Sequence, residues 1–200
     1  MPSGSDENSS RRPSAATKAQ QEEVLRAQLV LALELGRAVS VHCVGKGAGQ
    51  RLLALVREVG AFTAPAALVL HAYALGTHMV ESLLRVGGNV YFSFCGTVTQ
   101  PRFKRVREAA RVVPRDRLLV ESDAPDQFPK NVLPSWVEDA GTSCRLKEGH
   151  MQRCGQRINE PANIVVFVRA LAMLRQANAA TLAVATFRNA RRAFGSAGRL

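Results

Sequence analysis

Three side chains in this sequence have the types and positions that metal-assisted hydrolysis requires. His42 ends the run Ala38-Val39-Ser40-Val41, His71 ends Leu68-Val69-Leu70, and Asp123 follows Leu118-Leu119-Val120 after Glu121 and Ser122. Short runs of branched apolar residues read as buried strands. In a parallel sheet the C-terminal strand ends face the crevice where ligands bind, so all three residues are expected at one end. Neutral imidazole and carboxylate form a ligand set for divalent zinc, manganese or magnesium, and such an ion yields a nucleophilic water near neutral pH. One histidine at a strand tip is usually a core or loop residue. Three ligand-type residues at equivalent places of successive units are harder to explain in that way.

The elements that must position them follow from periodicity. From Gln20 the residues Val24, Leu25, Leu29, Ala32 and Leu33 recur at helical spacing until Gly36, a C-terminal stop. After the strand ending at His42, the turn Gly45-Lys46-Gly47-Ala48-Gly49 leads into a helix with Leu52, Leu53, Val56 and Val59 on its apolar face. The turn matches neither a Walker loop nor a dinucleotide fingerprint. It reads first as a turn needing positive φ, with Lys46 as a candidate phosphate contact ahead of a helix N-terminus. Beyond His71, Thr77 is placed to cap a helix carrying Met79, Val80, Leu83 and Leu84, and Asn89 to Phe94 reads as a third strand. Pro101 is suited to the first turn of a helix lined by Phe103, Val106, Ala110 and Val113. The fourth strand is Leu118 to Val120, an irregular segment runs to about Ile158, and two helices follow: Pro161 to about Gln176, with Ile164, Val165, Val168 and Leu171 inward, and Thr181 to Phe194. Strands alternating with helices in this way specify an α/β fold with about four parallel βα units plus two C-terminal helices.

Two hundred residues with 46% hydrophobic content describe one ordinary globular core, preceded by a Ser-rich, apolar-poor tail over 1–19 expected to be disordered and followed by a tail over 196–200. No long uncharged apolar run or signal core is present, so no membrane association is expected, and four scattered cysteines suggest a reducing intracellular setting, cytoplasmic first, with nucleus or organelle as alternatives. The net charge of +11 favours a phosphate-bearing partner, and seven basic residues between Arg102 and Arg117 face only Glu108 and Asp116. Arg102, Lys104 and Arg105 are candidate nucleic-acid contacts. Aromatic content of 6% does not indicate a base-stacking platform. Cys144, His150 and Cys154 match no strong zinc spacing, and His78 reads as a surface residue.

At its strand tips the sequence resembles the TatD family of metal-dependent deoxyribonucleases, which are amidohydrolase-like (β/α)₈ barrels. The matching pieces are Ser40-Val41-His42-Cys43, Leu70-His71-Ala72-Tyr73, Tyr91-Phe92-Ser93-Phe94, Leu118 through Pro125, Asn159-Glu160-Pro161-Ala162-Asn163, and Thr186, Asn189-Ala190 and Phe194-Gly195. The resemblance covers about residues 20–195 and implies a partial TIM-type barrel, strands five to eight of the family. It implies two-metal hydrolysis of DNA phosphodiesters, with His42 and His71 as ligands of one ion. Asp123 would bind the other and handle the proton of the attacking water, as the catalytic residue. Glu121 and the Asn159-Glu160-Pro161 turn would be supporting elements.

The family's first-strand His-x-His pair and fourth-strand bridging glutamate have no match here, so the expectation is an amino-terminally truncated form with an incomplete site. A half barrel leaves two strand edges and inward-facing side chains open, which predicts a dimer or a complementing amino-terminal half. The alternative reading is a non-catalytic half barrel that binds a partner subunit or nucleic acid through Arg102 to Arg117.

Overall fold

The computed structural model describes residues 17–86, 88–132 and 158–195. The serine-rich tail, most of the segment between Pro125 and Ile158 with Cys144, His150 and Cys154, and residues 196–200 lie outside the described residues. Four strands, β1 (Ala38–His42), β2 (Ala67–His71), β3 (Val90–Phe94) and β4 (Leu118–Val120), form one parallel sheet in the order β1-β2-β3-β4. Helices α1 (Lys18–Glu34), α2 (Ala48–Val59), α3 (Thr77–Arg85) and α4 (Lys104–Val112) alternate with them, and α5 (Ile164–Leu174) and α6 (Ala179–Phe194) close the chain. The predicted α/β class and partial barrel are what the chain forms.

Strand alternation sends side chains to two faces. Leu68 and Leu70 of β2, Val90, Phe92 and Phe94 of β3 and Leu118 of β4 join α2, α3 and α4 in the main core. Ala67, Val69, Tyr91 and Leu119 point the other way, and there they meet Ala190 and Ala193 of α6. This second face would line a closed barrel. Its residues were expected to be open; over β2 to β4 the small alanines of α6 let the helix lie close enough to bury them, with Ala67 at 0% and Val69 at 2% exposure, while on β1 Ser40 of the same face stays exposed. The strand edges are as expected, with β1 and β4 outermost among the described residues.

Several boundaries differ from the periodicity reading. α1 starts at Lys18 because Thr17 and Gln20 form a reciprocal capping box. Gly76, not Thr77, is the N-cap of α3. Pro101 lies in a turn before α4, whose N-cap is Phe103. α6 begins two residues early because the Asn178 side chain accepts the Thr181 N–H. In α5 the inward face is Val166, Phe167, Ala170, Leu171 and Leu174, whereas Ile164 and Val165 are exposed. That helix is apolar nearly all round, so its pattern does not choose a face; contact with α4 and α6 does. Val24, expected inward, is likewise exposed, and α1 buries only Leu29 and Ala32.

Candidate active site at the strand tips

Parallel pairing puts His42 and His71 side by side, since the two are Cα partners in the β1–β2 register. Their ring centroids are 5.5 Å apart with planes tilted by 51°. His42 is exposed at the sheet edge and its ring has no hydrogen-bond partner among the described residues, so it is free to turn. His71 is held from both sides: Nδ1 stands 3.0 Å from Glu121 Oε1, and Nε2 stands 3.3 Å from Asp123 Oδ1.

The Glu121 oxygen nearest Nδ1 also accepts the Ala72 N–H at 2.6 Å, which fixes the carboxylate against the tip of β2. A proton on Nδ1, the nitrogen beside this carboxylate, leaves the Nε2 lone pair facing an Asp123 oxygen, a repulsive arrangement that a cation between them relieves. Two donors on one zinc-like ion stand roughly 3.0 to 3.4 Å apart, given bond lengths of about 2.1 Å. The observed 3.3 Å lies in that interval. A carboxylate bonded to the second nitrogen of a ligating imidazole is also the usual outer support of metal-bound histidine. The donor chemistry of His71, Asp123 and Glu121 thus fits a divalent ion. Among the described residues no three His, Cys, Asp or Glu side chains already stand together as a closed metal cluster.

The backbone around these groups is shaped to present them. Ala72 and Asp123 both adopt positive φ, +44° and +53°. Aspartate tolerates this region; alanine does so at a cost, offset here by the Glu121 bond and by the adjacent Tyr73 N–H donating to Ser93 O at 2.9 Å. β4 ends at Val120, so Asp123 projects from the loop beyond the strand and not from its last residue. Asn159 holds that loop: its Nδ2 donates to Ser122 O at 2.6 Å and its N–H to Pro125 O at 2.8 Å. Its own Oδ1 accepts from the Glu160 N–H and from Asn163 Nδ2. Behind the loop Gly96 is obligatory, because a Cβ there would run into the Gln127 carbonyl.

Two cysteines flank the cluster. Burial pushes the Cys43 thiol up from its ordinary value. Burial does the same to Cys95, opposed by hydrogen bonds from Thr97 and reinforced by the charges of Glu121 and Asp123. Both therefore favour the neutral thiol over the thiolate that binds metal. Tyr73, whose hydroxyl donates to Gly76 O at 2.9 Å, is also pushed up by burial and then by Cys43, and stays a neutral donor. Sequence reasoning gave Cys95 no role at the site, although it carried a signal, since it follows β3 directly.

The expected phosphate contacts divide by location. Lys46 is exposed in the turn before α2, where Gly45 and Gly47 have φ of +97° and +79°. Arg102, Lys104 and Arg105 are exposed around the start of α4, the end of the layer reached from the tip of β3, with Arg102 stacked 4.8 Å from the Phe103 ring. The other four basic residues of that stretch serve the fold. Arg107 donates to Val98 O at 2.6 Å, Arg111 to Leu174 O, Arg115 to Thr181 O, and Arg117 to Asn89 while lying over the Tyr91 ring. The seven residues do not make one basic face.

The family model described as TatD related DNase matches residues 3–195. The chain is 31% identical over 176 residues to the "3'-5' ssDNA/RNA exonuclease TatD" of Erwinia tasmaniensis, covering 88% of this chain and 59% of that protein. It is 33% identical over 138 residues to the "uncharacterized metal-dependent hydrolase YcfH" of Escherichia coli K12, covering 66% and 50%. Among solved structures, a TatD family hydrolase from Entamoeba histolytica superposes with a TM-score of 0.67 at 18% identity, over 92% of this chain and 59% of that one. An uncharacterized amidohydrolase from Saccharomyces cerevisiae gives 0.66 at 13%, over 90% and 60%. The chain spans about three-fifths of the length of the Erwinia relative.

Proposed function

We propose, from the premise that this chain belongs to the TatD related DNase family, that it carries the strand-tip half of a metal-dependent phosphodiesterase acting on single-stranded nucleic acid. The observation that carries the reading is the His71 Nε2 to Asp123 Oδ1 separation of 3.3 Å, with the far side of the ring pinned by Glu121. In this reading His71, Asp123 and His42 hold a divalent cation, magnesium, manganese or zinc. Such an ion supplies Lewis acidity toward a phosphoryl oxygen and lowers the pKa of water. Glu121 keeps the His71 lone pair directed at the site. Asp123, on a loop anchored by Asn159, is within reach to accept a proton at its carboxylate. Lys46, Arg102, Lys104 and Arg105 contact substrate phosphates at the same end of the sheet. The polymer is chosen from the names of relatives, several of which are called ssDNA/RNA exonucleases.

The test is calorimetric titration of the chain with manganese, together with hydrolysis of a labelled single-stranded oligonucleotide. His71→Ala and Asp123→Asn should each lower manganese affinity and hydrolysis by about 100-fold or more. Wild-type metal affinity in both variants would overturn the reading. The binding-only alternative has less support, because four of its seven basic residues are engaged within the fold.

A further inference from the structure

The turn Arg115–Arg117 immediately precedes β4, and Asp123 follows it, so the two lie toward opposite ends of the sheet. At the Arg115 end, the turn and α6 border an open, shallow cleft of about 720 Å³ lined chiefly by Arg115, Asp116, Thr181, Val184, Arg188 and Arg192. This is a size that admits a nucleotide-scale ligand. Its charge is unbalanced. The Asp116 carboxylate is shared with Arg117, 3.7 Å away. Arg188 and Arg192 stand one helical turn apart on the exposed side of α6, a helix with no acidic residue, and neither pairs with a carboxylate among the described residues. Arg115 makes one long bond, 3.3 Å to Thr181 O. Burial, and then the charge of Arg115, pull the nearby Arg175 guanidinium below its ordinary value, so this corner of the molecule already carries crowded positive charge.

Like charges held together without counter-charge are relieved by a polyanion. The cleft also offers some apolar surface, Val184 among its lining. We propose that this cleft binds the backbone of single-stranded nucleic acid, with the exposed Arg188 and Arg192 on phosphate oxygens and Arg115, held by Thr181 O, adding its charge from the facing turn. It is a second contact, on the far side of the sheet from the strand-tip site. It rests on the reading above only in the choice of polymer; the preference for phosphate follows from the arginines.

The experiment is fluorescence anisotropy of a labelled oligothymidylate with the full chain in EDTA, so that hydrolysis plays no part. The double variant Arg188→Glu/Arg192→Glu should bind about tenfold more weakly or worse, with the log–log salt slope reduced by about 1.4. Both arginines are exposed, and an unaltered circular dichroism spectrum checks the fold; Arg188→Gln/Arg192→Gln provides a milder second pair expected to shift in the same direction. Unchanged affinity in a folded double variant overturns the proposal. So does full displacement of the oligonucleotide by low-millimolar inorganic phosphate, which would make the cleft a small-anion site. Arg188→Glu/Arg192→Glu leaves the strand-tip residues untouched and should keep wild-type manganese affinity, so failure of the catalytic reading and failure of this one give different results.

Discussion

His71 presents its two nitrogens to different carboxylates, Nδ1 to Glu121 and Nε2 to Asp123. One oxygen of Glu121 lies 3.0 Å from Nδ1 and accepts the Ala72 N–H, so a single carboxylate stands against the imidazole and holds the strained residue beside it. Glu121→Gln keeps the length and one acceptor oxygen but removes the negative charge that raises the donor strength of Nε2. Manganese affinity should fall about 10- to 100-fold while the thermal midpoint moves little, as calorimetry and thermal melting would register. Wild-type affinity would reduce Glu121 to a loop anchor.

Among the elements, the loop after β4 carries the chemistry and depends on a residue far along the chain. Asn159 is 2% exposed and ties the Ser122 and Pro125 carbonyls to the start of the Pro161–Asn163 turn. Asn159→Ala keeps the backbone bond to Pro125 O but leaves the Ser122 carbonyl unmatched, and should cost about 1–3 kcal/mol, read as a lower urea midpoint with unchanged slope. Hydrolysis should fall further than the stability loss accounts for, because Asp123 loses its support. At the other end of the layer, Arg175 donates from Nη1 to the carbonyls of Ala110 and Val113, capping α4 with a cation where the helix dipole favours one. The basic composition of this chain is thus partly architectural.

Over the whole molecule, β2 to β4 are buried on both faces although the described residues hold four strands. α6 covers the side that would face a barrel interior, and the contact works because Ala190 and Ala193 are small. Placing a charge there strands it among Ala67, Val69, Tyr91 and Leu119. Ala193→Asp should therefore cost about 3–5 kcal/mol by chemical denaturation, whereas Arg191→Asp on the exposed side of the same helix should stay within about 0.5 kcal/mol. Equal effects from the two substitutions would mean that α6 does not cover that face.

The strand tips were legible in the sequence because a parallel strand announces itself as a short apolar run, and whatever follows it must lie at the sheet's end. That logic located His42, His71 and Asp123, and the βα alternation with it. It did not reveal that Asp123 stands against His71, since that juxtaposition depends on the positive φ of Asp123 and on the hold of Asn159 on a loop 37 residues away. Nor did it choose the buried face of α5, whose uniform apolarity leaves the decision to its neighbours. The arginine cleft was equally hidden: Arg115 and Arg188 are distant in sequence, and their shared charge exists only once α6 packs beside the turn that opens β4. Local order is written in periodicity, while coincidences of distant side chains belong to packing.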